Sequence, residues 1–323
     1  MLKVGVIGAG HLGRIHLQQW NHIPDVDIVG FYDPFDENAQ KAIELGFNRV
    51  SDLNALIESA DAVDIVSTTS SHYENAVRCL KAKKHVFVEK PLTSSLKEAA
   101  HLLSLIQEAG VKGQVGHVER FNPAFLSIKD RKLNPMFIEC HRLAQFNPRG
   151  TDVAVILDLM IHDIDIILSI VKANVKRISA SGVAIVSDSF DIANARLEFD
   201  NGCVANITAS RISLKKMRKM RIFQKDAYIG IDFLEKKSEI CRLSAEADND
   251  DWAIPIELGN DQRKFIHFEA PAVDENNAIR LELQRFKEAI DLDIDTEVGF
   301  LDGYKAMQIG YDILKKIEKN NLQ

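Results

Sequence analysis

From residue 2 to residue 115, short apolar runs rich in β-branched residues alternate with segments of helical spacing. Residues 2–7, 26–32, 62–67, 85–88 and 111–115 read as strands, and residues 11–22, 37–45, 53–59, 73–81 and 96–109 read as helices. Strands that are apolar along nearly their whole length have no face to give to water. Separated by helices, they specify a parallel sheet covered on both sides, a doubly wound α/β domain. Gly46 and Gly110 stand where two of the helices end, positions that favour a left-handed cap.

The pattern changes after residue 122. One helical pattern covers 153–171, and extended segments follow at 177–186, 193–199, 203–209, 219–223 and 227–233. Asp200-Asn201-Gly202 separates two of them, and Asn-Gly predicts a hairpin whose two turn residues both take positive φ. Helical patterns at 276–292 and 300–319 close the chain. An antiparallel sheet with helices at its ends is an α+β domain, and the division falls near residues 116–122.

The first strand runs into Gly8-Ala9-Gly10-His11-Leu12-Gly13, a GxGxxG set between a strand and a helix. Gly8 permits a tight turn, Gly10 lets the backbone approach a pyrophosphate, and Gly13 lets the helix pack on the strand. The helix opening at His11 and Leu12 offers free N–H groups to phosphates. A glycine-rich turn without a ligand is the plainer alternative. Asp33 ends the second strand, 20 residues after Gly13. That is the spacing of an acid that accepts a hydrogen bond from the adenosine ribose and repels a 2′-phosphate; a helix-capping aspartate would also stand there. Residues 34–37 hold no Arg or Lys, so NAD is favoured over NADP.

Composition narrows the partners. The 323 residues suit about two domains. A formal net charge of -7 leaves no cationic excess for nucleic acid. The four cysteines are far apart and form no CxxC pair, which points to free thiols in a reducing compartment rather than a zinc or redox site. No apolar run reaches the roughly 18 residues of a membrane span, and the sequence opens on a strand rather than a basic and apolar leader. A cytoplasmic protein is expected.

Ligands of open α/β sheets bind outside the carboxyl ends of the strands. Two more segments emerge there. Ser67-Thr68-Thr69-Ser70-Ser71, followed by His72, offers hydroxyls and backbone groups. Glu89-Lys90-Pro91 ends a strand with two charges and a stiffened backbone. Lys90 is placed to reach the nicotinamide end of a cofactor or a substrate oxygen; a surface lysine at a strand end is the bland alternative. Together these three motifs resemble the Gfo/Idh/MocA oxidoreductase family, over essentially the whole chain. The resemblance implies a Rossmann domain at 1–118 and an α+β domain with a large, mostly antiparallel open sheet at 119–323, for substrate binding and oligomerisation. It implies a cofactor site that includes Ser67, Thr68, Thr69, His72 and Glu89, with Lys90 catalytic beside nicotinamide and substrate. A homodimer or homotetramer is also expected, with one sheet face covered by another subunit.

Residues 156–167 are apolar except for His162 and three aspartates. On a helix Asp158, His162 and Asp165 share one face, where a carboxylate fixes an imidazole and raises its basicity. The polar stripe of an amphipathic helix accounts for much of this pattern. A metal reading lacks a third and fourth ligand, so no metal is assigned. The family pattern DxxxH matches Asp158 and His162 and implies an acid/base histidine with its aspartate. The implied reaction is oxidation of a secondary alcohol: His162 removes the proton, Lys90 stabilises the oxyanion, and hydride passes to the nicotinamide.

For substrate, Gly116-His117-Val118-Glu119-Arg120-Phe121-Asn122-Pro123-Ala124 joins the two domains. Arg120 suits a phosphate or carboxylate, or an ion pair with a nearby acid; Asn122 stands beside it as a second candidate substrate ligand. The basic run 215–219 suits a diphosphate or a solvated strand edge. Both stretches resemble the branch that oxidises the 3-hydroxyl of UDP-N-acetylglucosamine or related UDP-sugars. The alternatives are a polyol, inositol or free-sugar dehydrogenase, or an NAD-binding regulatory protein without turnover.

Overall fold

The computed structural model describes residues 1–147, 153–246, 253–257 and 263–321. The chain folds into two compact units, Met1–Phe121 with Asn276–Gln308, and Asn122–Glu275 with the residues from Ile309 onward.

The first unit is the parallel sheet expected. β1 (Leu2–Ile7), α1 (His11–Trp20), β2 (Val26–Tyr32), α2 (Asp36–Ile43), α3 (Leu53–Ser59), β3 (Ala62–Ile65), α4 (Thr69–Lys81), β4 (His85–Glu89), α5 (Leu96–Ala109) and β5 (Gly113–Gly116) follow in order. The strands pair in parallel as β2-β1-β3-β4-β5. Asp52 caps α3 and Ser95 caps α5 with side-chain oxygens. Gly110 ends α5 in the left-handed region at φ 65°, a conformation that costs glycine nothing.

The second unit contains α6 (Pro123–Lys129), β6 (Phe137–Leu143), α7 (Ile161–Ile170), β7 (Val175–Val183), β8 (Ile192–Phe199), β9 (Val204–Ser210), β10 (Met217–Phe223), β11 (Ala227–Asp232), β12 (Lys237–Ser244), β13 (Ile254–Glu257) and β14 (Arg263–Glu269). Nine strands form one sheet in the order β13-β14-β12-β11-β10-β6-β9-β8-β7. It is antiparallel except where β6 meets β9. Two helices close the chain, α8 (Ala278–Asp291) and α9 (Phe300–Asn321).

Four findings refine the sequence reading. The strand β6 escapes a hydrophobic pattern because its polarity is inverted: Ile138, Cys140 and Arg142 are buried while Phe137 and Leu143 are half-buried. The β8–β9 hairpin is present, yet Gly202 alone takes positive φ (86°). Gly202 N–H donates to Phe199 O, and Asn201 Oδ1 accepts from Cys203 N–H. This is a three-residue loop closed by a left-handed glycine rather than a two-residue turn. The basic run lies partly on β10, the middle strand of nine, so it is not a sheet edge. Finally, residues 276–308 pack with the first unit, although the linear division assigned everything after 118 to the second domain. Phe286 of α8 meets Phe87 of β4 edge-on at 5.9 Å, and with Leu283 it is fully buried in the first core. Burying such side chains stabilises by about 1.5–3 kcal/mol each, which is why α8 belongs there.

Candidate active site

The sheet places the carboxyl ends of β1, β2, β3 and β4 along one cleft of about 720 Å³, lined among others by Gly8, Gly10, Asp33, Ser67, His72 and Lys90. Each glycine of the loop has a separate steric reason. Gly8 takes φ 101°, and a Cβ there would stand 2.7 Å from Ser67 N and Val66 O. A Cβ on Gly13 would come within 2.0 Å of Gly8 O, so only glycine lets α1 press on the loop. A Cβ built on Gly10 would meet nothing within 4 Å outside its own turn and helix, and no side chain caps α1. Its N-terminal N–H groups therefore face open space, the arrangement that receives a pyrophosphate.

Asp33 is buried. Its Oδ2 accepts from Ala9 N–H at 2.7 Å and its Oδ1 from Phe35 N–H at 2.8 Å. It thus ties β2 to the glycine loop while keeping lone pairs for a ribose hydroxyl. The local sequence offered no cation here, but the tertiary structure brings one. Arg49 donates to Asp33 O at 2.9 Å and to Asp36 Oδ1 at 2.8 Å. Asp36 holds that guanidinium, so the acid at the ribose end keeps its effect.

The Ser/Thr loop and the loop after β4 are fastened by His72. Its Nδ1 lies 2.9 Å from Pro91 O and its Nε2 3.0 Å from Ser67 O. Burial lowers the pKa of this imidazole despite those two carbonyls. Its single N–H serves one of the two carbonyls, so His72 lines the cleft packed between the two loops rather than as a free donor. Ser67 and Ser71 hydroxyls share a hydrogen bond of 2.7 Å, and Thr68 and Ser70 one of 3.2 Å. The Lys90–Pro91 bond is cis.

Beneath Lys90 lies a cluster that pattern reading missed. His16, fully buried in α1, has Nδ1 2.9 Å from Asp64 Oδ2 and Nε2 3.2 Å from Glu89 Oε1. Trp20 Nε1 donates to the same Asp64 oxygen at 2.8 Å, and Lys90 N–H donates to Glu89 Oε2 at 3.1 Å. Burial opposes charge on His16, but Asp64 and Glu89 outweigh it and push the pKa up to about 10. Burial likewise opposes charge on Glu89, yet His16 holds its pKa below the usual value. An aspartate inside the apolar strand Ala62–Ile65 was the available signal.

In the second unit, Asp158 falls in a π turn, Ile156–Met160, where Ile161 N–H reaches Ile156 O five residues back. His162 lies in the first turn of α7. Single π turns inside helices recur at functional sites, and this one carries Asp158 and ends two residues before His162. The continuous helix expected from 153 is thus a π turn followed by a ten-residue α-helix. Asp163, which the sequence left unassigned, makes a buried fork with Arg142: Nη2 to Oδ1 at 2.8 Å and Nε to Oδ2 at 3.0 Å. This fixes the rotation of α7 against β6 and so the direction of His162, one residue away. Asp165 is buried.

The joining motif divides. Arg120 Nη2 lies 3.9 Å from Asp302 Oδ1 within the first unit, so an acid is within reach. Asn122 Oδ1 caps α6 through Ala124 N–H, and its Nδ2 donates to Phe233 O at 3.0 Å. The geometry gives Asn122 a capping role. Lys215 and Lys216 are exposed, and Lys219 pairs with Asp232 at 3.2 Å.

A glycine loop opening a helix, an acid at the end of β2 and a cleft along the carboxyl strand ends define a dinucleotide-binding oxidoreductase domain. Residues 2–117 match the oxidoreductase family with an NAD-binding Rossmann fold, and residues 109–229 match the GFO/IDH/MocA C-terminal domain. The chain belongs to this GFO/IDH/MocA oxidoreductase family. It is 39% identical over 249 residues to UDP-N-acetylglucosamine 3-dehydrogenase of Acidithiobacillus ferrooxidans, covering 76% of this chain and 78% of that one. A solved structure of UDP-N-acetylglucosamine 3-dehydrogenase from the same organism superposes with a TM-score of 0.89 at 32% identity, over 98% of each chain. Myo-inositol 2-dehydrogenase of Thermotoga maritima is 25% identical over 98% of this chain and 97% of its own. Among the described residues no helix is long and apolar enough to cross a membrane.

Proposed function

We propose that this NAD-dependent oxidoreductase acts on a UDP-N-acetylhexosamine, oxidising the ring 3-hydroxyl. The observation that carries this reading is the 39% identity to the 3-dehydrogenase, matched by a fold likeness over 98% of both chains. The inositol dehydrogenase, at 25%, is the more distant alternative. Gly8, Gly10, Gly13 and the start of α1 hold the pyrophosphate, and Asp33 holds the adenosine ribose. When bound, NAD accepts a hydride from the alcohol carbon. His162 takes the hydroxyl proton, and Asp158 orients its imidazole and raises its basicity. Lys90, at the strand end, stabilises the developing oxyanion as a preorganised cation. Arg120 contributes to holding the diphosphate. The second unit serves substrate binding and assembly into a homodimer or homotetramer. The protein works in the cytoplasm, in keeping with four free cysteines.

The test is NADH formation with UDP-N-acetylglucosamine, its uronic acid, UDP-N-acetylgalactosamine, myo-inositol and glucose, with a 2-oxo acid added to reoxidise the cofactor if product release stalls. Turnover of a UDP-sugar is expected. Turnover of inositol or glucose alone overturns the substrate; NAD binding with no turnover on any of them favours a regulatory protein.

A further inference from the structure

Why a histidine should sit with no exposure at all between two carboxylates is not explained by the dinucleotide fingerprint. A neutral imidazole has one N–H. With Asp64 Oδ2 at 2.9 Å from Nδ1 and Glu89 Oε1 at 3.2 Å from Nε2, a neutral ring would turn a lone pair toward one of the anions. Nδ1 is hydrogen-bonded to Asp64, whereas Nε2 meets Glu89 as an ion-pair contact without hydrogen-bond alignment, and only the imidazolium makes both contacts attractive. The other groups that face the pair are Trp20 from α1, whose indole N–H also meets Asp64, Lys90 from the loop after β4, and His72 from α4. The protein has shaped its backbone around the same carboxylate. Glu89 is paired in register with Gly116 on β5, and a Cβ on Gly116 would stand 2.6 Å from Glu89 Oε1. Only glycine there leaves room for the carboxylate to lie as it does, lining the cleft beside Lys90.

We propose that His16 is a positioning residue of the cofactor site: clamped as an imidazolium between Asp64 and Glu89, it keeps the Glu89 carboxylate ionised and turned to the cleft, where that charge offsets the Lys90 ammonium and favours the oxidised, cationic cofactor over the reduced one. The inference rests on the reading that the Lys90 end of the cleft takes the nicotinamide. A cationic ring beside Lys90 alone would meet a like charge. A fixed carboxylate removes that penalty for NAD⁺ and does nothing for the neutral ring of NADH. The imidazolium is the means of keeping a buried carboxylate charged, since burial without a cation drives such a group toward its neutral form. The raised pKa of His16 keeps the clamp intact across pH 6–9.

The experiment measures binding of NAD⁺ and NADH separately, by calorimetry and by NADH fluorescence, from pH 6 to pH 9. Wild type should hold a constant ratio of the two affinities over that range. Glu89→Gln should weaken NAD⁺ about ten-fold, the order of one partly screened charge, and change NADH less than two-fold. His16→Gln should show a new pH limb: an NAD⁺ preference at or above that of wild type at pH 9, falling by about ten-fold toward pH 6 as Glu89 takes a proton. Gly116→Ala, which displaces the same carboxylate from the opposite side, should lower the NAD⁺ preference without that limb. In the wild type, ¹⁵N-histidine NMR should show His16 doubly protonated up to pH 9, a measurement that needs no variant to fold. Equal loss of NAD⁺ and NADH in His16→Gln at every pH would reduce His16 to a core residue and overturn the proposal, as would titration of His16 near neutrality. Failure of the wild type to bind either form would instead remove the cofactor reading on which the proposal stands.

Discussion

The Arg142–Asp163 fork offers the sharpest quantitative test of how the second unit aims His162. Both side chains are about 3% exposed, and Arg142 also lies over the Phe233 ring at 5.8 Å. Arg142→Met keeps most of the volume and removes the charge. Asp163 then either stays ionised without its fork or takes a proton. Protonation sets the ceiling, because neutralising a carboxylate of ordinary pKa about 3.9 at pH 7 costs about 4 kcal/mol. That agrees with the roughly 3–5 kcal/mol lost when one partner of a buried pair is removed. The sign follows from linkage. Where the unpaired carboxyl takes a proton, stability is lost as pH rises, and the ceiling on the cost falls from about 4 kcal/mol at pH 7 to about 1.5 kcal/mol at pH 5. Urea unfolding followed by circular dichroism, with wild type alongside at each pH, reads this directly. Turnover should fall mainly in kcat, since a re-seated α7 turns His162, the proposed base. A cost under about 1 kcal/mol at pH 7 would refute the argument that a buried charge holds α7 in place.

Lys90→Met should leave NADH affinity within two-fold of wild type, measured by fluorescence, while kcat falls by about 10²–10³, the usual loss for one preorganised donor. His162→Asn should remove the rise of alcohol oxidation with pH; persistence of the same limb at similar rate would assign the base elsewhere. Asp33→Ser should raise kcat/KM with NADP at the expense of NAD, and adding Asp36→Ser should raise it further, because Arg49 is then released from its carboxylate partner. No gain from the second change would show that Arg49 does not reach a 2′-phosphate.

The amino-acid sequence alone determined the alternating strands and helices of residues 2–116, with bounds within about four residues, because that information is local. Apolar runs broken by helical spacing specify a parallel sheet covered on both faces, and the bounds of Leu96–Ala109 and Leu53–Ser59 agree with their caps. The glycine loop was equally legible, since Gly8 and Gly13 answer steric demands imposed within a few residues. The lysine after β4 was visible as a charge where an apolar strand ends. What only the tertiary structure decided depends on residues far apart in the chain. β6 hides Arg142 among its buried positions, and no period in the sequence says that Asp163, 21 residues on, will neutralise it. The return of α8 to the first unit depends on Phe286 finding Phe87 across almost 200 residues of intervening chain. Arg49 reaches Asp36 only because residue 49 is bridged to β2. His16 looked like one more residue on a helix until β3 and β4 brought Asp64 and Glu89 to its two nitrogens. A charge buried in a core has meaning only through its partner, and partners are supplied by the packing of elements rather than by their order.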